Sequence, residues 1–337
     1  MIETEHPRVA NGLNVVAIGG GNGLSTFLYG LKQHVSPAAG TSPEILKLSA
    51  IVTVSDDGGS SGRLRDELQM LPPGDIRNCM VALSEDSRML SRLFGHRFRG
   101  EGDLGGHSFG NIFLAALTEM TGDFAEAVRL SSEILASKGH IFPATMADVR
   151  LAAELEDGTI IRGESKIGRI GRAIRRLYLE PEHCMPMPDA LVAISDADVI
   201  TIGPGSLFTS LLPPLLVEGV ARAIASSRAT KIFICNLMTQ PGETDGFTSR
   251  KHLEVIRDHA AEIKFDYLIL NNGLISPKQQ STYANEGAVQ IGVHGSISES
   301  AIEGVKIIYD NLLDEGDMVR HDPAKLANAV LACAVKH

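Results

Sequence analysis

Residues 55–78, SDDGGSSGRLRDELQMLPPGDIRN, put two adjacent carboxylates before a run of small residues and a third in the Pro-Pro-Gly-Asp turn beyond. Paired negative charge at the end of an apolar run is unfavourable unless water, an arginine or a cation meets it. Arg63 and Arg65 are close by in the chain. Two chemistries therefore compete. Asp56, Asp57 and Asp75 form an oxygen-rich Mg²⁺ site beside a diphosphate, or one Asp caps the Gly-Gly-Ser turn while another faces water.

Two glycine-rich stretches bear on phosphate. GGGNGLST (19–26) sets Gly20, Gly21, Asn22, Gly23, Ser25 and Thr26 at the mouth of a helix, where free amides and the helix dipole favour an anion. It matches neither G-x-G-x-x-G nor the Walker G-K-[ST] ending. GPGSLFTS (203–210) repeats the logic. Gly203 and Gly205 let the backbone approach a ligand, and Ser206 offers an amide and a hydroxyl. The alternative for the first is a tight turn with no ligand, and the second alone is equally a capped helix; two such turns in one sheet point to a nucleotide or diphosphate.

His107 and Asn111 flank Ser108-Phe109-Gly110 in a glycine-rich loop, and Asn78 closes PPGDIRN. A lone histidine is ordinarily a structural hydrogen-bonder, but this setting makes His107 a candidate acid or base. His96, His140 and His183 lack such a setting. Tyr283 in STYANEG and Arg320 in VRHDPAK are an aromatic and a planar cation suited to clamping a base, sugar or diphosphate, although spacing alone places both on the surface.

The elements that must position these residues alternate in an α/β rhythm. NVVAIGG (14–20) reads as a buried strand, followed by a helix over 24–35 whose apolar residues recur at helical spacing. PAAGTSPE (37–44) reads as a surface linker and LSAIVTV (48–54) as a second strand. That strand runs into the flexible acidic stretch, and after PPGDIRN the chain reads as helical to about residue 93. A loop over 97–111 leads into a helix, and Asp123 caps the next. Alternation around Asp157-Gly158 predicts a hairpin over 148–164. Further strands are expected at 197–202, 230–238 and 265–273, an edge strand at 304–312 and a last helix over 322–335. The pattern predicts a mostly parallel sheet with helices on both faces and a β-hairpin insertion. Such sheets bind ligands beyond the carboxyl ends of their strands.

Composition bounds the function. The 337 residues suffice for one large α/β unit, and 44% apolar with 21% charged residues is a globular profile. A net charge of −10 argues against a sequence-independent grip on nucleic acid. The four cysteines form no C-x-x-C pair, which fits a reducing cytoplasm and indicates no zinc site. Acids and a proline where a signal peptide would carry basic and apolar segments predict no export, and the apolar runs stop short of the roughly 20 residues a membrane span requires.

Taken together, GGGNGLSTFLYGLK, VTVSDDGGSSGRLR, PPGDIRNC, GHSFGN and IGPGSLFTSLLPPLLV occur in the order found in the YvcK/CofD family, and the chain resembles most its bacterial YvcK branch, the gluconeogenesis factors. The resemblance spans about residues 14–332 and implies one Rossmann-like, cytoplasmic domain over 1–337. The CofD branch transfers a phospholactyl group from a guanosine diphosphate carrier to a deazaflavin alcohol with Mg²⁺. By that analogy Asp56, Asp57 and Asp75 hold metal, and Asp57, Asp75 and His107 serve catalysis, although the transferase-type loop differs from PPGDIRN. The YvcK branch binds UDP-sugars such as UDP-N-acetylglucosamine and is linked to cell shape and peptidoglycan precursor supply during gluconeogenic growth. The residues of that branch that contact the nucleotide sugar look like Tyr283 and Arg320.

Two functions follow from the resemblance: a nucleotide-sugar sensor that acts on a partner in wall synthesis, and a Mg²⁺-dependent transferase of the CofD type. A nicotinamide oxidoreductase is disfavoured by the failed fingerprint. The default assembly is a symmetric homodimer.

Overall fold

The computed structural model describes residues 12–35, 44–85, 87–284, 287–292, 302 and 304–334. Most of the linker expected at 37–44 lies outside them. The strands in chain order are β1 (Leu13–Gly19), β2 (Ile45–Val52), β3 (His140–Pro143), β4 (Arg150–Leu155), β5 (Ile160–Arg162), β6 (Ile174–Glu180), β7 (Val199–Ile202), β8 (Thr230–Ile234), β9 (Tyr267–Asn271) and β10 (Lys306–Asp310).

Seven of them form one sheet in the order β10-β9-β8-β7-β1-β2-β3, and every pairing in it is parallel. The chain lays down β2 and β3 on one side of β1, then returns to lay down β7 to β10 on the other. The order therefore reverses between β1 and β7, and the glycine turns at residues 19–23 and 203–206 leave those two strands side by side. β1 and β7 are apolar and almost wholly buried, as strands covered on both faces must be. β10 is the expected edge strand.

The hairpin lies where expected, turning at Asp157-Gly158 with Gly158 at φ +82° and the Thr159 amide donating to Asp157 Oδ1. A third strand, β6, completes it as a small antiparallel sheet in the order β5-β4-β6. Its run IRRLYLE hides the strand signal, because Arg175 and Arg176 interrupt the apolar alternation and, both exposed, pair with Glu154 and Glu182. Leu151, Ala153, Leu177 and Leu179 carry the main hydrophobic core into this sheet.

Helix boundaries differ from expectation near the site. The first helix, Gly21–Leu31, starts three residues earlier than its apolar spacing indicates, so Gly21, Asn22 and Gly23 form its first turn. PPGDIRN opens the helix Gly74–Leu83. The acidic stretch after Val54 is a helix over Gly59–Leu68 rather than a flexible loop. Its buried residues include Ser60, Ser61 and Gly62, small enough to pack closely yet carrying no apolar stripe.

Among the described residues no single helix is long and apolar enough to cross a membrane. The apolar pair Leu207–Leu216 and Val220–Ser226, bent by 80°, buries Leu207, Phe208, Leu212 and Val220 in the core.

Candidate functional site

A cleft of about 550 Å³ opens at the reversal point. Gly20, Gly21, Asn22, Gly23 and Thr26 line it from the first turn, Gly205 and Ser206 from the second, and Tyr283 and Arg320 from the C-terminal third of the chain. Two other surface hollows, of about 620 and 970 Å³, touch neither glycine turn. Tyr283 reaches the cleft from the helix Pro277–Ala284, and its hydroxyl accepts from the Val319 amide at 3.2 Å, which ties it to the loop bearing Arg320.

The remaining candidates lie apart from the cleft lining. Ser25 turns back to donate to Asn22 O, and Gly203 is fixed inside the sheet by the bond from its amide to Ile18 O. Asn78 accepts from Arg77 Nη2. Asn111 is 1% exposed and donates to Ser60 Oγ, which lies 3.0 Å from His107 Nδ1. His107 is itself 3% exposed, and burial, then Arg63 and Arg97, push its pKa down. It is a neutral ring in a buried Ser–His–Asn cluster.

The acids resolve the tension in SDDGG. Asp56 Oδ1 accepts from the Gly58 amide, Asp57 Oδ1 from the amide and hydroxyl of Ser165, and Asp75 from the backbone of Gly21. Each acid thus caps a backbone amide. Asp75 sits against the first helix, where burial and then Asp56 push its pKa up to about 6 against the opposing pull of the Gly21 bond and Arg77. Glu164, from the short helix after the hairpin, joins the group. Burial, then Asp56, raise it to about 7, with Asp57 and Asp75 adding to the rise while a bond to Thr209 opposes it.

Such a donor set suits a hard divalent cation in its chemistry but not in its arrangement. Among the described residues no three His, Cys, Asp or Glu side chains are disposed to hold a metal ion. Asp57 would first have to release Ser165.

The second turn is not an open anion site. Glu243 Oε1 accepts from the Phe208 amide at 3.0 Å and from the Ser206 hydroxyl, and the Gly205 amide donates to Asn236 Oδ1. Burial raises the Glu243 pKa against these bonds. A carboxylate from within the chain therefore stands where a phosphate was expected, as Asp75 does at the Gly21 amide of the first turn. Glu243→Ala, which strands the Phe208 amide, should cost about 1–3 kcal/mol, whereas Glu243→Gln keeps an acceptor and should cost less than about 1 kcal/mol. Urea unfolding of the two variants measures the difference.

Sequence reasoning missed Glu164, Glu243, Asn236 and His321. Asn236 had a signal, since it follows a strand end, and His321 adjoins Arg320. Glu164 opens a helix of only four residues and Glu243 sits in a turn, so neither belongs to a periodic pattern.

Fold and cleft together define a Rossmann-like α/β protein with a cleft between two glycine turns at the reversal of strand order. The chain belongs to the CofD family, whose model, described as 2-phospho-L-lactate transferase CofD, matches residues 15–313. It is 46% identical over 319 residues to the gluconeogenesis factor of Halalkalibacterium halodurans, covering 94% of this chain and 95% of that protein. The gluconeogenesis factor of Bacillus subtilis is 42% identical over 318 residues, covering 94% and 96%. A crystal structure of a Bacillus halodurans protein superposes with a TM-score of 0.87 at 46% identity, covering 95% of this chain and 99% of that one.

Proposed function

We propose that the protein is a cytoplasmic nucleotide-sugar-binding regulator, of the UDP-N-acetylglucosamine type, linked to gluconeogenic growth, cell shape and peptidoglycan precursor supply. The observation that carries this reading is the meeting of the first glycine turn, Tyr283 and Arg320 in one cleft, while the acids are bonded to backbone amides instead of standing ready for chemistry. The first-turn amides and Arg320 suit a diphosphate, and Tyr283 offers an aromatic face with its hydroxyl anchored. The names of the relatives as gluconeogenesis factors agree with the link to gluconeogenic growth. As a regulator it would act as a homodimer on a protein of wall synthesis.

Calorimetric titration with UDP-N-acetylglucosamine tests the reading. Tyr283→Ala and Arg320→Ala should each weaken binding by about tenfold or more, the loss expected for a charge-assisted or anchored contact. Absence of binding by the wild type below millimolar concentration would end it.

A second reading is a Mg²⁺-dependent 2-phospho-L-lactate transferase-like enzyme. It is favoured by the mutual repulsion of Asp56, Asp75 and Glu164, which a cation would relieve, and by the name of the family model. Asp56, Asp57 and Asp75 would hold the ion only after a rearrangement in which Asp57 releases Ser165. No product from a phospholactyl nucleotide and a deazaflavin alcohol at saturating Mg²⁺ would count against it.

A further inference from the structure

Five buried side-chain atoms lack a hydrogen-bond partner among the described residues: Arg65 Nη1, Asn111 Oδ1, Ser249 Oγ, His252 Nε2 and His321 Nε2. Only the last belongs to a residue lining the cleft. His321 is 8% exposed, and its backbone is fixed by an antiparallel bridge to Leu313. Its ring also bonds to the backbone of Cys235, just beyond β8, and this bond favours the charged ring, as a ring N–H given to a carbonyl does. With Nε2 unpartnered, the donor is Nδ1. Burial pushes the pKa down to about 4, so the ring is neutral, its proton sits on Nδ1, and Nε2 is a bare acceptor.

A buried acceptor without a donor is unfavourable in the empty protein, and a ligand that supplies one removes the penalty. Phosphoryl oxygens cannot, because they only accept. The neighbouring Arg320 has the opposite capacity, since a guanidinium only donates. Adjacent positions on one loop thus offer a donor for anions and an acceptor for hydroxyl or N–H groups, a pairing that matches the junction between a diphosphate and its nucleoside.

We infer that His321 Nε2 accepts a hydrogen bond from the nucleoside of the ligand, from a ribose hydroxyl or from the imide N–H of the base. The inference rests on the nucleotide-sugar reading above. Nε2 is covered in the present arrangement, so engagement includes a local opening of residues 319–321, which Tyr283 holds through the Val319 amide.

The test uses the full chain as wild type, His321→Asn and His321→Gln, titrated calorimetrically with UDP, 2′,3′-dideoxy-UDP and N3-methyl-UDP. Asparagine sets an amide N–H where Nδ1–H stood and removes the acceptor, whereas glutamine reaches the Nε2 position with Oε1. His321→Asn should bind UDP about tenfold more weakly at an unchanged melting temperature, and His321→Gln should regain most of the loss. One analogue should weaken the wild type by a similar factor yet cost His321→Asn nothing further. The dideoxy analogue would assign the ribose and the N3-methyl analogue the base. Equal UDP binding by wild type and His321→Asn, or analogues that leave the wild type unaffected, would overturn the inference. Failure of the wild type to bind UDP or UDP-N-acetylglucosamine would instead overturn the nucleotide-sugar reading on which it stands. Should His321→Asn fold poorly, the analogue arms on the wild type still decide.

Discussion

Replacing Gly23 with alanine should remove nucleotide-sugar binding and lower the unfolding free energy by about 2–3 kcal/mol. A Cβ at Gly23 would lie 2.5 Å from Pro204 O, 2.8 Å from Pro204 C and 3.2 Å from the Gly205 amide nitrogen. All three are backbone atoms, so no rotamer change relieves the clash. Neither turn can retreat, because β1 and β7 are locked in register from Val15↔Val199 to Ile18↔Ile202 and the Gly203 amide is bonded to Ile18 O. The strain must spread the two turns, which are the walls of the cleft. Gly102→Ala is the matching control, since a Cβ there meets nothing within 4 Å. Urea denaturation and titration with UDP-N-acetylglucosamine read both effects. A Gly23→Ala protein with wild-type midpoint and affinity would mean that the turns do not abut.

The same contact explains what was legible in the sequence. Parallel strands buried on both faces are continuous apolar runs, so 14–20 could be read and lies at Leu13–Gly19. The turns were legible because close backbone approach demands small residues, as Gly23 against Pro204 illustrates. The helix Gly59–Leu68 was not, because Ser60, Ser61 and Gly62 are buried without the apolar periodicity on which helix recognition depends. β6 was masked by its charges. For the site, proximity to a motif identified the backbone that shapes the cleft but not the direction of side chains. Ser25 folds back onto Asn22 O, Asn111 turns to Ser60, and His107 is buried beside it. The carboxylate in the second turn was beyond reach for a different reason. Glu243 meets Ser206 across 37 positions in the chain, and nothing local in QPGETDG announces that closure.

Asp75→Asn should stabilise the protein at neutral pH by an amount that vanishes in acid. The carboxyl has its pKa raised from an ordinary 3.8 to about 6, chiefly by burial and then by Asp56. Below pH 3.8 both folded and unfolded chains carry the proton and Asp75 contributes nothing unfavourable. Between 3.8 and 6 the unfolded chain releases its proton while the folded chain keeps it, so stability falls as pH rises, and the full penalty persists above 6. At about 1.4 kcal/mol per pH unit the penalty is on the order of 3 kcal/mol. Asparagine carries no charge yet retains an oxygen for the Gly21 amide. The burial of His321 acts in the opposite sense, since its folded pKa of about 4 takes stability away as pH falls below the ordinary 6.5. His321 opposes Asp75 whereas Glu164, raised to about 7, acts in the same sense as Asp75, so the wild-type profile mixes all three and the difference between wild type and Asp75→Asn is the readout for the carboxylate. Melting temperatures of the pair from pH 4 to 8 should converge at the acid end and separate through pH 6, and parallel profiles would mean that Asp75 ionises freely. Repeating the series at saturating Mg²⁺ separates the two functional readings. A sensor leaves the gap unchanged, whereas an ion held by Asp56, Asp57 and Asp75 stabilises the wild type and closes it.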